Sequence, residues 1–262
     1  PAYRHKLPKY WLKEALLRRV FTDFFPKGLS QLALADCSLD QLVVLALALA
    51  YFGWFRMSEV VRCENANDSD LGVAHGGLYW RDFRREVLSD FPDNESTEVV
   101  PGLIGWLSWY KNMPIKPGHT ANNLFYLPLI DDPDDFSPKP ILSLLANCRI
   151  SGMVGEVLMI NENRPVLPDP TNPSQNISKR FIDARVRIIL RKYVPRAFWP
   201  NISTHGPRGG RAQDSQETVP PMPIPVVCQA GRWGSAEAFH TYLANDVLTV
   251  FKWTSMLPSQ QS

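Results

Sequence analysis

The sequence predicts an α+β fold, mainly α-helical, with a small antiparallel sheet set among the helices. Three observations carry this. Residues 39–61 are apolar on nearly all sides, as expected of a buried central helix. Residues 177–193 combine basic and apolar positions at helical spacing. Between them, residues 78–110 hold short runs of Val, Ile, Leu and Trp mixed with glycine, which suits short strands.

Taken in order, residues 12–25 carry apolar positions at helical spacing, and Pro26-Lys27-Gly28 stops them. Ser38, with Gln41 three residues later, is the signature of a capping box opening the central helix. Gly53 lies inside the apolar run and costs about 1 kcal/mol in a helix interior, so a break or close packing is expected just before Arg56. Residues 65–77 are turn-like. Residues 78–88 predict a short strand pair, and residues 99–110 a second pair ending near Lys111. The acidic, proline-rich segment 131–139 is a surface loop leading into a helix over 140–149, and 161–173 is another loop. Pro220, Pro221, Pro223 and Pro225 exclude a continuous helix there, although Pro225 can sit in a helix's first turn. Ser235 caps a last helix over 235–245 that carries Tyr242.

The chain of 262 residues can bury a substantial core, in one large domain or two small ones. Its formal charge of +2, from 28 basic and 26 acidic residues, argues neither for nor against a nucleic-acid partner. Cys37, Cys63, Cys148 and Cys228 are widely spaced, form no CxxC pair and do not cluster with the histidines. They predict reduced thiols, no metal and an intracellular location. No signal peptide opens the chain and no apolar run is long enough for a bilayer, so a soluble protein is expected.

Several polar residues stand out against this frame. Arg56 ends the apolar run, where an arginine ordinarily snorkels or pairs with Glu59. His205 and Arg208 in THGPRGG share a face if that segment is helical. Gly209 and Gly210 permit close approach, either of a phosphate or within an ordinary tight turn. Trp233 is a core anchor or an N–H donor. Tyr242 is one of eight tyrosines on an otherwise unexceptional helix.

Their order, however, resembles the catalytic domain of tyrosine recombinases of the phage-integrase type. Arg56 stands in FRMSE, Lys111 in WYKNM, His205 and Arg208 form H-x-x-R, and G-R-W-x-S precedes Tyr242, nine residues after Trp233. The resemblance runs from about residue 7 to 243 and is strongest to the branch of eukaryotic mobile elements and viral integrases. Trp80-Arg81-Asp82-Phe83 matches the W-x-D-V turn that opens the family's sheet, and Tyr110 replaces a serine usual before the lysine. The proline cluster departs from the continuous helix and single-proline turn that follow H-x-x-R in the family.

The resemblance implies a catalytic set of Arg56, Lys111, His205, Arg208, Trp233 and Tyr242, cleaving DNA through a 3′-phosphotyrosyl intermediate with no cofactor or metal. It implies double-stranded DNA as partner, a tetramer on DNA, and DNA recombination or integration of a transposable or viral element, in the nucleus if the host is eukaryotic. One catalytic domain over 1–262 is expected, with residues 244–262 a tail packed on a neighbouring subunit or, as the ordinary alternative, back on its own domain, and with the family's N-terminal DNA-clamping domain outside this chain. Lys179, Arg180, Arg185, Arg187, Arg191, Lys192 and Arg232 are the candidates for DNA contact, against solvated helix faces as the ordinary alternative. A telomere resolvase or type IB topoisomerase uses the same chemistry, and a domesticated DNA-binding protein without catalysis is the reading from another class.

Overall fold

The computed structural model describes residues 9–67, 74–84, 102–108, 124–147 and 162–244. It is α+β, with helices around one central helix and a small antiparallel sheet. Helix α1 (Glu14–Phe24) buries Leu17, Val20 and Phe21, a spacing that aligns them in one stripe. Helix α2 (Leu39–Phe52) opens with the capping box: the Gln41 N–H donates to Ser38 Oγ at 3.2 Å, and the Ser38 N–H to Gln41 Oε1 at 2.8 Å. Every residue from Leu42 to Tyr51 is buried, because α2 is enclosed by its neighbours on all sides.

The apolar run divides at Gly53, which ends α2; Trp54 follows with a left-handed φ of +55°, and Arg56 caps a short helix α3 (Met57–Val60). Both expected effects of Gly53 are present, since a Cβ there would lie 2.1 Å from the Phe55 ring.

The 3-10 turn Trp80–Asp82 opens the sheet, with the Asp82 carboxylate accepting the Tyr79 N–H at 2.7 Å. Strands β1 (Phe83–Arg84), β2 (Gly102–Trp106) and β3 (Leu124–Pro128) form one antiparallel sheet in that order. Two strand pairs within 78–110 were expected; among the described residues of that span β1 and β2 pair with each other, and the second partner of β2 is β3. That strand escapes notice because Leu124, Phe125, Tyr126 and Leu127 are all apolar, although only Phe125 and Leu127 are buried.

Helix α4 (Pro138–Ala146) starts inside the predicted loop, since Pro138 suits a first turn, and ends early at Asn147, which takes φ +57°. The predicted loop over 161–173 contains part of a hairpin, β4 (Pro168–Asp169) and β5 (Asn172–Asn176). Fully buried Asn176 anchors it, donating to the carbonyls of Gly76 and Leu78 at 2.8 Å each and accepting the Leu167 N–H at 2.8 Å. Helix α5 (Lys179–Leu190) buries Ile182, Val186, Ile189 and Leu190. After a 3-10 turn, Arg196–Asn201, come α6 (Gly206–Glu217), α7 (Ile224–Ala230) and α8 (Ala236–Ala244). The prolines separate α6 from α7, and Ser235 Oγ accepts the Ala238 N–H at 3.1 Å to cap α8.

The main core gathers α1, α2, α4, α5 and the sheet; a smaller one joins Trp54, Ala212, Val227 and Phe239 beneath α6, α7 and α8. Across α6 runs the segment at residues 10–13, tied by Leu12 N–H to the Gly206 carbonyl at 2.9 Å. A Cβ on Gly209 would lie 2.1 Å from the Trp11 ring, and one on Gly210 1.9 Å from the Leu12 carbonyl oxygen. Gly209 admits the Trp11 ring and Gly210 the backbone of Leu12, and both lie within α6, so they form neither a tight turn nor a phosphate cradle. No helix among the described residues is long and apolar enough to cross a membrane.

Alanine at position 210 gains helix propensity of about 1 kcal/mol but forces α6 away from residue 12. Gly210→Ala is therefore expected to destabilise by roughly 1–3 kcal/mol in urea denaturation, whereas a stabilised variant would mean this contact is loose.

Candidate active site

Glu59 lies on α3 with its side chain 3 % exposed. An isolated carboxylate there would be neutral; this one is surrounded by arginines. Arg56 donates through its backbone N–H and through Nη1, each at 2.8 Å. Arg232 Nη2 donates to Glu59 Oε2 at 2.9 Å, and Arg208 Nη1 approaches the same oxygen at 3.9 Å. Burial pushes the Glu59 carboxyl up, but the charges of Arg232, Arg208 and Arg56 outweigh it and hold the group down at about 2.

Each arginine reaches this point for a separate reason. Arg56 stands where the break after Gly53 turns the chain into α3, so its backbone N–H and side chain both face Glu59. Arg208 lies in the first turn of α6, held against the second core; its guanidinium lies over the Trp233 ring at 4.8 Å and donates to the Gly231 carbonyl. Arg232 follows Gly231 with a left-handed φ of +54°. Its Nη2 donates to the Trp54 carbonyl at 3.0 Å and its Nη1 to the Gly53 carbonyl at 3.4 Å, while Phe55 lies beneath it at 5.3 Å. The two left-handed residues, Trp54 and Arg232, thus hold each other in conformations that cost about 1–3 kcal/mol apiece.

Three guanidinium groups face one carboxylate, an excess of two positive charges. Burial makes that excess strongly attractive to an anion, because solvent screens it little. Access is uneven. Arg56 is 19 % exposed, whereas Arg208 is 1 % exposed and roofed by Trp233. A phosphate touching Arg56 meets an open edge; one touching Arg208 must first displace the indole. Trp233 is itself packed against Trp54 at 5.8 Å and Phe239 at 5.3 Å, so displacing it breaks contacts with the smaller core.

Of the six residues expected at the site, Arg56, Arg208 and Trp233 are brought together. His205 sits half-buried at the N-terminal boundary of α6, one turn before Arg208. Lys111 belongs to the connection between β2 and β3 and lies outside the described residues. The backbone of Tyr242 lies on α8, three residues after buried Phe239, and α8 packs on α6 and α7. The Tyr242 side chain lies outside the described part, as does the tail beyond Ala244.

Arg232, expected to contact DNA, is instead buried and spent on Glu59 and two carbonyls. Nothing in GRW announces this, because it depends on a left-handed backbone at a non-glycine residue. The candidates on α5 also divide. Lys179 pairs with Asp183 at 2.6 Å, and Arg185 Nη2 binds Asp40 at 2.8 Å. Arg180, Arg187, Arg191 and Lys192 remain exposed. No protein-family model and no curated protein matches the chain.

Removing the negative charge leaves three buried cations uncompensated. Glu59→Gln is expected to lose about 3–5 kcal/mol of stability by chemical denaturation, and a loss under 1 kcal/mol would mean that solvent already screens the cluster. Because the folded carboxyl titrates below its ordinary value of 4.5, its contribution is complete above that pH and lost as pH falls toward about 2. Wild-type stability should decline across that window; a flat profile would show that Glu59 is not ionised in the fold.

Proposed function

We propose that this chain cleaves and rejoins duplex DNA as the catalytic domain of a tyrosine recombinase, recombining or integrating a mobile or viral element as a tetramer on DNA. One observation carries the reading: Arg56 and Arg208, the two arginines of the family's order, meet at one buried carboxylate with positive charge in excess. Support also comes from Trp233 packing on Arg208, and from the helix bearing Tyr242 packing on the helix bearing Arg208.

The chemistry follows from the charge arrangement. Tyr242 Oη attacks the scissile phosphorus as the bond to the 5′-oxygen breaks, leaving a 3′-phosphotyrosyl link. Lys111 gives its proton to the departing 5′-oxygen, and His205 assists proton transfer at the tyrosine. Arg56 and Arg208 take the non-bridging oxygens, where a planar guanidinium fork matches phosphate better than an ammonium does. They stabilise the charge that builds at phosphorus. Glu59 and Arg232 are positioning residues in this scheme. Attack of a partner strand's 5′-hydroxyl on the phosphotyrosine reverses the step and exchanges strands.

The roof over Arg208 adds a requirement: DNA binding must shift Trp233 and the α7–α8 turn before both arginines can hold one phosphate. A domain retaining DNA binding without cleavage is the second reading, and it is favoured by this burial, since a permanently covered Arg208 serves only the fold.

A duplex nicked beside the cleavage point separates the two. The wild type is expected to accumulate a covalent protein–DNA adduct, seen as a shifted band in denaturing gels, and Tyr242→Phe none. Arg56→Ala should slow adduct formation by roughly 10²–10³-fold. Binding without any wild-type adduct would establish the non-catalytic reading, and an adduct from Tyr242→Phe would show another nucleophile.

A further inference from the structure

The basic residues of α5 occupy distinct electrostatic settings. Lys179 is neutralised by Asp183, which also accepts the Thr204 hydroxyl at 2.6 Å. Arg185 is engaged by Asp40, whose carboxyl is held below its ordinary range by that hydrogen bond, with the charge of Lys192 adding to the effect. Arg187 and Arg191 are one helical turn apart on another face, and no ion pair among the described residues engages them. Together with Arg196, Trp199 and Pro200 they line an open cavity of about 380 Å³.

This hollow is constructed rather than a chance gap between mobile side chains. The Trp199 indole N–H donates to the Val194 carbonyl at 2.9 Å, which fixes the ring. The Arg191 guanidinium lies over that ring at 5.0 Å, so its orientation is set before any ligand arrives. The C-terminal end of α5 favours cations at Arg187 and Arg191, but that does not account for Arg196 on the turn that follows. Three like charges around one hollow repel one another unless an anion lies between them. Guanidinium forks match phosphate oxygens. The volume lies within the range of about 300–1,000 Å³ usual for small-ligand sites, and Trp199 with Pro200 adds a wall that a bare ion would not use.

We propose that this cavity is a second phosphate-binding site, separate from the Glu59 centre, that takes a phosphate carried on an organic skeleton. A nucleotide unit, free or within a nucleic-acid strand, has that chemistry. Arg187 and Arg191 grip the phosphate oxygens from the helix, Arg196 closes on them from the adjoining turn, and the organic part lies along Trp199 and Pro200. The site goes beyond the cleavage proposal and does not depend on it.

Calorimetric titration of the full chain at low salt tests this with pyrophosphate, a nucleoside triphosphate and a short DNA duplex as probes. At least one should bind the wild type, with affinity falling about tenfold or more in Arg187→Ala/Arg191→Ala and unchanged in Lys27→Ala, which removes an exposed cation outside the cavity. Arg196→Glu, outside α5, should give the same loss and serves if the double variant misfolds. Triphosphate binding identifies a free nucleotide, and duplex binding alone identifies a nucleic-acid strand. Unaltered affinities in the cavity variants, equal losses in the Lys27 control, or no wild-type binding of any probe overturn the site. Adduct formation at Tyr242 is scored on the same proteins: adducts without a cavity-dependent affinity overturn this site alone, and cavity-dependent affinity without adducts overturns the cleavage proposal alone.

Discussion

The buried carboxylate of Glu59 is the interaction on which the rest of the site depends. It draws together a helix start, the first turn of α6 and the turn between α7 and α8, with Arg232 lying 173 residues away in sequence. Hydrophobic contact alone would leave these segments free to slide. A carboxylate with two acceptor oxygens fixes where each guanidinium stops, and directional bonds to the Gly53, Trp54 and Gly231 carbonyls fix how each is turned. The second core of Trp54, Ala212, Val227 and Phe239 packs beside this charged arrangement.

That arrangement holds more positive charge than it neutralises. Natural folds tolerate such an imbalance at sites that meet anions, and the strain of two left-handed non-glycine residues falls at the same place. The same packing restricts access. Trp233 is both the ring that steadies Arg208 and the roof that hides it, so any event that opens the roof also loosens the smaller core. Charge attraction and concealment are thereby coupled through one side chain, and Arg56 remains the edge from which an anion first meets the cluster.

Local patterns were reliable wherever one segment decides its own conformation. The capping box at Ser38 and Gln41, the stop at Gly53, the stripe of α5 and the Ser235 cap all follow from nearest-neighbour chemistry and steric limits. Patterns failed where a partner decides. Residues 124–127 are apolar without alternation, so only pairing with β2 marks them as a strand. Asn172, Ser174 and Gln175 are polar and, with Pro173, exposed, and the hairpin they belong to is held by Asn176 reaching the carbonyls of Gly76 and Leu78.

For this protein the sequence by itself determined the fold class, most helix positions and the order of the basic and aromatic residues, because periodicity, caps and prolines act over a few residues. Through a family resemblance it also grouped Arg56, Lys111, His205, Arg208, Trp233 and Tyr242 as one expected site, and of these Arg56, Arg208 and Trp233 meet in the fold. Only the tertiary structure decided what surrounds them. Gly209 and Gly210 face the chain's own residues 10–13, Arg232 turns inward to Glu59, and Arg208 lies beneath Trp233. Each outcome depends on groups distant in sequence competing for the same carboxylate, carbonyl or space, and that competition is settled only when the chain is packed.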